Sequence, residues 1–435
     1  MKPIGSNPQV GPFGCVGGIP LVYAVRGPPG AYARGERGRP EREISGGLLR
    51  AMRYIGKKHM TSAGKQHASP LLRMHPLTST SKAHMLNEPA DKVGTNSDIR
   101  HSNAALLSIA HELPPEIVTS DYFDEQLADT YKRLKMPKGL LERLAGISTR
   151  RGWAEGQTFE DGVVAAAEKA IEQAGIDRSQ IGLLINASVT RDNFEPAVSV
   201  GVHDRLDLPR HALNFDITNA CLGFVNAMTV ASTMIDAGAI DYALIVAGED
   251  PSPWHRTAVR ILNNPDSTRE DVLAQFATLT LGSGAAAAVI GRADRHPEGH
   301  RIVGSVSRAG TEHRNLCIGG EADQGMNTDA EGLLKHGLEL VAQAWEQAHQ
   351  DGWEWNDMTS YVTHQISNAH TNAIIEAVGI KRERIPLTFP KWGNVAAAAL
   401  PMTLAECAPT YTEGDRILCM GVGSGLNTAL LEIQW

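Results

Sequence analysis

No uninterrupted apolar run in the chain reaches the roughly 18–20 residues that a membrane-crossing helix needs. Cysteine is scarce as well. The 5 present, Cys15, Cys221, Cys317, Cys407 and Cys419, are an odd, scattered set without a Cys-x-x-Cys pair. That distribution argues against a disulfide framework or a zinc site and suits a reducing cytoplasm. No Gly-x-x-x-x-Gly-Lys phosphate loop occurs, and the Gly-rich run at Gly421–Asn427 is too short and irregular for a dinucleotide fingerprint.

What is present is a globular composition, 42% hydrophobic and 21% charged over 435 residues. The length suits two or three domain-sized units. Charge is unevenly spread: residues 1–100 carry 15 Lys and Arg against 6 Asp and Glu, while the other 335 carry 26 against 43. The basic stretch is rich in Gly, Pro, His and Ser and has little periodicity. Such a segment buries too little apolar surface to offset its ordering entropy. Residues 1–100 are therefore expected to be a disordered basic extension, with Met60, Met74 or Met85 as alternative starts. A targeting peptide competes, against interrupting acidic residues and the want of a clear cleavage site. A nucleic-acid or membrane-surface arm also competes, without aromatic interleaving to support it.

From residue 101, apolar strands alternate with amphipathic helices. Strands are expected at Ala104–His111, Ile181–Val189, Ala212–Ile217, Tyr242–Val246, Ile302–Arg308, Thr359–His364, Arg416–Met420 and Thr428–Gln434, with a strand pair in LTLGSGAAAAVIG. Helices are expected at Thr119–Leu134, Leu140–Gly146, Thr158–Gly175, Ala197–Leu206, Asn327–Gln350, Ala369–Val378 and Asn394–Ala408, and in the run after Cys221. GISTRRGW at 146–153 and the stretch from GEDPSPW to about Glu270 read as loops. Two blocks then repeat in order and spacing. In each, a helix and a strand lead to a second helix, opened by Cys221 in one block and by Asn394 in the other. The repeat implies helix-covered sheets in two halves, 101–300 and 301–435, related by a pseudo-twofold axis. Cys221 and Asn394 would then be equivalent points at helix N-termini, meeting at one site.

Each candidate has a bland reading beside a chemical one. A cysteine at a helix N-terminus is favoured as thiolate, yet cysteines in apolar runs are usually core. His364 ends a strand, where α/β sheets place functional groups, or simply makes hydrogen bonds there. Asn394, after Gly393, is either an N-cap or an oxyanion donor. Glu195 precedes a helix, where the dipole favours a carboxylate. Arg150 and Arg151, beside Trp153, are a solvated loop or a phosphate clamp. The glycines of Gly421–Asn427 let backbone N–H groups approach a carbonyl oxygen.

Taken together, Cys221 at a helix start, His364 in THQIS, Gly393-Asn394 before an Ala-rich helix and the last Gly-rich loop resemble the thiolase superfamily. The similarity is closest to the β-ketoacyl-ACP synthase III-like enzymes, and runs from about residue 103 to Trp435. Within that group, GLLINASVTRDNFEP, FDITNACLGFVN, LTLGSGAAA and GVGSGLN resemble the OleA family, the head-to-head acyl-CoA condensing enzymes of bacterial long-chain olefin synthesis. The resemblance implies a five-layered αβαβα sandwich and a homodimer acting on coenzyme A thioesters without another cofactor. Downstream olefin-pathway enzymes become candidate partners. It further implies Cys221 as nucleophile, backbone N–H groups of Cys221 and Ser424 as oxyanion donors, and His364 and Asn394 at the second thioester. Glu195 is implied as the base, reaching the partner subunit's site, and Arg150 and Arg151 as coenzyme A contacts. Trp392 departs from the synthase III pattern, which has His before Gly393.

Three functions follow as rivals: non-decarboxylative condensation of two fatty acyl-CoAs, a decarboxylative synthase III reaction with malonyl-ACP, and a non-catalytic acyl-binding scaffold. A degradative thiolase needs a second catalytic cysteine, and Cys419, within a strand, is more simply core.

Overall fold

The computed structural model describes residues 98–320 and 325–435. The basic extension expected at 1–100 lies outside the described residues, apart from Asp98–Arg100, which form a strand. The strands are β1 (Asp98–Arg100), β2 (Ala104–Glu112), β3 (Glu116–Thr119), β4 (Thr149–Gly152), β5 (Leu183–Asn186), β6 (Leu213–Asp216) and β7 (Tyr242–Glu249). They continue as β8 (Gly284–Arg292), β9 (His300–Ala309), β10 (Cys317–Gly319), β11 (Met326–Thr328), β12 (Ser360–Thr363), β13 (Arg416–Gly423) and β14 (Asn427–Gln434).

The main ladder runs β12-β13-β14-β9-β2-β8-β7-β5-β6. Strands β2 and β9 touch through only two residue pairs, Ala105 with Arg301 and Leu106 with His300. Strand β1 takes the same edge of β9 at Gly304–Val306. The ladder is thus two sheets abutting at a corner. In each, parallel pairs (β6-β5-β7 and β12-β13) are followed by antiparallel strands (β8-β2 and β14-β9).

The two-residue period of the strands sorts side chains into layers. Ile185, Ile245, Ala288, Ile417 and Leu431 point into a central core, shared with Phe224 and Met228 of the Gly223–Asp236 helix and Leu400 and Leu404 of the Ala399–Cys407 helix. Their neighbours Leu184, Leu244 and Val289 face an outer helix, Phe159–Ala174. Leu418, Met420 and Leu430 face another, Ala330–Gln350. Helix, sheet, helices, sheet, helix gives the five layers. Cys419 lies in the central core at 0% exposure, as its strand position implies.

The structure corrects several expectations. GISTRRGW contains β4, which pairs antiparallel with β3. The region after GEDPSPW holds two helices, Ser252–Leu262 and Arg269–Thr280. Its prolines read as loop, but Pro253 sits in a first turn, where no N–H is required. The second helix is announced by a capping box, Thr268 with Asp271. The expected Thr119–Leu134 helix is two short ones, Ser120–Gln126, capped by Thr119, and Ala128–Leu134. Instead of a strand pair, LTLGSGAAAAVIG is a helix end followed by β8.

Candidate active site

Strand β6 delivers the chain to a turn in which Ala220 adopts φ +45°, a left-handed conformation uncommon outside glycine. Cys221 follows, and the helix begins two residues later at Gly223. The turn packs against β13. A Cβ on Gly421 would lie 2.4 Å from Leu222 Cδ1, and one on Gly423 would lie 2.9 Å from the Asn219 carbonyl. These two glycines therefore make room for the Cys221 turn. Asn219 fastens it, donating to Asn226 Oδ1 (2.8 Å) and accepting from Asn427 Nδ2 (3.2 Å).

The second block has a parallel turn, but in a different register from the one expected. Asn394 does not open a helix. A short 3-10 turn, Ala396–Ala398, intervenes, and the α-helix starts at Ala399. Ala396 carries φ +42° three residues before that helix, as Ala220 does before Gly223. Ala397 is thus the positional counterpart of Cys221, and Asn394 stands three residues earlier. Asn394 is held by its backbone, donating to Thr280 O (2.9 Å) and accepting from Gly282 N (3.0 Å). Its Oδ1 accepts from Ala396 N (3.0 Å), leaving the Nδ2 group to donate.

His364 directly follows β12, and its N–H extends the ladder to Met420 O (2.9 Å). Burial, then the nearby His370, lowers its pKa to about 3, so the ring is neutral. Its Nδ1 is buried without a hydrogen-bond partner, a costly state that native proteins retain at few positions. The Cys221 thiol is also neutral. Burial, reinforced by the charge of Glu249, pushes it up to about 12, the reverse of the thiolate expected from helix-dipole reasoning.

Cys221, His364, Asn394 and Ser424 all line one cavity of about 960 Å³. Ser424 sits in the tight turn between β13 and β14, which is shorter than the expected loop Gly421–Asn427. Leu333, Leu338 and Val341 of the Ala330–Gln350 helix and Ile374 give the cavity an apolar wall. Arg191–Phe194 lie on its rim, but Glu195 does not line it and is exposed. Phe194 beside it is 81% exposed.

Neither arginine lines the cavity. Arg150 is 0% exposed; it donates to Thr119 O and Ser120 Oγ and lies over the Phe123 ring at 4.7 Å. A guanidinium committed in this way cannot meet a coenzyme A phosphate, so that expectation fails for Arg150. Arg151 is half-buried and donates to Pro114 O (3.4 Å). Trp392 is core: it is 7% exposed, with its ring 5.5 Å from that of His111.

Sequence reasoning passed over three groups. Cys317 lines the cavity, and its Sγ hydrogen bonds with Thr328 Oγ1 (3.6 Å). His370 also lines it, bonded to Ser367 Oγ through Nδ1 (2.9 Å), and burial lowers its pKa to about 4. Glu249, the last residue of β7, is 2% exposed. Only its place at a strand end signalled it, and the prolines that follow disguised that.

Two family models match, 3-oxoacyl-[acyl-carrier-protein] synthase III at residues 215–310 and the synthase III C-terminal family at 348–435. The chain is 37% identical over 336 residues to the acyl-CoA:acyl-CoA alkyltransferase of Xanthomonas campestris, covering 77% of this chain and 99% of that protein. It is 31% identical to the enzyme of the same description from Shewanella oneidensis, covering 78% and 100%. A crystal structure of X. campestris OleA with bound lauric acid and lauroyl-CoA superposes with a TM-score of 0.74 at 37% identity, over 77% of this chain and all of that one. The thiolase layers, the cavity that joins the cysteine turn to the Asn394 turn, and these likenesses agree: the chain belongs to the OleA family of synthase III-like acyltransferases.

Proposed function

We propose that this protein joins two long-chain fatty acyl-CoAs head to head without decarboxylation, giving a 2-alkyl-3-oxoalkanoic acid as the first step of long-chain olefin synthesis. The observation that carries the reading is the single cavity placing Cys221, His364, Asn394 and Ser424 beneath an apolar wall.

Cys221 Sγ attacks the first thioester carbonyl, its proton leaves through His364, and coenzyme A departs as the thiol. A neutral thiol and a neutral imidazole make this transfer concerted with attack, because burial disfavours both ions. The backbone N–H groups of Cys221 and Ser424 receive the oxyanion. A second acyl-CoA then sets its carbonyl against Asn394 Nδ2 and His364. A carboxylate takes its α-proton, the enolate carbon bonds to the acyl carbon, and Cys221 leaves. Water cleaves the remaining thioester.

The carboxylate in this scheme is Glu195, working in the neighbouring subunit of a homodimer. Its exposure, and its absence from the lining of its own cavity, support reach into a partner. The halves 101–300 and 301–435 supply, respectively, the nucleophile and the His364–Asn394 pair. The described cysteines are all unbridged, which suits a reducing cytoplasm. Downstream olefin-pathway enzymes take the product.

Product analysis by mass spectrometry tests the reading. Long-chain acyl-CoA alone should yield free coenzyme A and the β-keto acid or its ketone. An absolute requirement for malonyl-ACP would instead establish the synthase III reaction, which the descriptions of the two matching family models favour. An acyl adduct on Cys221, lost in Cys221→Ala, excludes a scaffold. Glu195→Ala should still acylate Cys221 and stall before condensation; undiminished product would refute the base assignment.

A further inference from the structure

Glu249 has no part in the chemistry above, yet it is a carboxylate enclosed at 2% exposure. Among the described residues no cation pairs with it. Burying an unpaired carboxylate is expensive, and a neutral side chain of similar size would cost less. Its environment raises its pKa to about 7, through burial opposed by the hydrogen bonds it accepts.

Three of those bonds run to the loop after β5. Oε1 accepts from Val189 N (2.9 Å), and Oε2 from Thr190 N (2.9 Å) and Thr190 Oγ1 (2.7 Å). Strand β7, which Glu249 ends, also packs against the 3-10 turn Ala396–Ala398. Val189 and Thr190 begin the loop whose Arg191–Phe194 rim the cavity and which ends at Glu195. Ala397 belongs to the 3-10 turn whose Ala396 N–H holds the Asn394 side chain. The β7 end is itself fixed: Gly248 N donates to Ser188 Oγ (2.9 Å), and Trp153 Nε1 to Glu249 O (3.0 Å). Thr190 Oγ1 in turn accepts from Asp250 N (3.0 Å), closing the knot.

We propose that Glu249 is a positioning residue for the condensation step, a buried carboxylate that fixes the Glu195-bearing loop to the strand end packed against the Asn394 turn. The inference rests on the condensing reading above. A two-oxygen acceptor suits this place because Val189 N, Thr190 N and Thr190 Oγ1 donate to both of its oxygens. A glutamine would turn an N–H₂ towards at least one donor.

Full-length Glu249→Gln and Glu249→Ala are compared with the wild type in two assays. Acylation of Cys221 by a long-chain acyl-CoA is followed by intact mass, and condensation of the acylated enzyme by single turnover. Acylation should not fall, since loss of the Glu249 charge only eases ionisation of Cys221. Condensation should fall on the order of 100-fold in the Ala variant, as expected for misplaced groups, and by less in the Gln variant. Hydrogen exchange should quicken at 189–195 and 394–398 and nowhere else. Unchanged condensation, or acylation and condensation falling together, overturns the proposal. If the wild type acylates but never condenses, the condensing reading has failed, and exchange in the two segments still decides whether Glu249 fixes them. Thr190→Val, which removes only one of these donors, replaces the Ala variant should that one not fold.

Discussion

At the scale of single residues, Cys221 shows two electrostatic effects in opposition. A helix N-terminus is worth about 0.3–1 kcal/mol to a nearby anion. The thiol is instead displaced from 9.0 to about 12, which corresponds to about 4 kcal/mol against the thiolate. The helix starts two residues too late to help, and desolvation decides. Alkylation of Cys221 by iodoacetamide should therefore climb about tenfold per pH unit between roughly pH 7 and pH 10 without levelling. A plateau near neutrality would mean that the thiolate is stabilised after all. Which cysteine to watch was readable in the sequence from its place before an apolar helix; its protonation was not, because burial comes from the opposite block.

At the scale of elements, the Asn394 turn depends on a contact no local pattern announces. Leu281 and Asn394 form an isolated parallel bridge, and a Cβ on Gly282 would stand 2.0 Å from the Trp392 carbonyl oxygen. Since that obstacle is backbone, Gly282→Ala must part the bridge. It should cost at least about 2 kcal/mol in urea unfolding and depress condensation by more than that loss explains. A variant of native stability and activity would show that the turn is held otherwise. The repeat of helix and strand was legible because it follows hydrophobic period. The three-residue offset between Cys221 and Asn394 was not, since an Asx turn and a 3-10 segment leave no periodic trace. The Ser252–Leu262 helix was missed for a different reason: its prolines read as loop, although one fits a helix's first turn.

For the whole molecule, the buried histidines set the acid limit. His255 and His364 are lowered to about 3 and His370 to about 4, burial being the first cause of each. Each binds a proton in the unfolded chain near pH 6.5 but resists doing so when folded, so stability rises with pH from about 4 to 6.5. Glu249 works the other way. Raised to about 7, it holds its proton longer when folded, so its contribution falls as pH rises from its unfolded value to about 7. Three groups outweigh one, and the thermal midpoint should drop on going from pH 7 to pH 5. Replacing Glu249 by Gln should steepen that drop, because the opposing group is then gone. A midpoint that holds or rises towards pH 5 would contradict the neutral assignment of the histidines.

By itself the sequence determined the alternation of helices and strands and the duplication, and it singled out Cys221, His364 and Asn394, which line one cavity, because hydrophobic period and motif order are local properties. Only the tertiary structure decided that Arg150 is spent on Thr119, Ser120 and Phe123, that Glu195 does not line its own cavity, and that Glu249 holds the loop after β5. Desolvation, reach and hydrogen-bond partnership depend on which distant segments the layers press together, and no stretch of the chain carries that information alone.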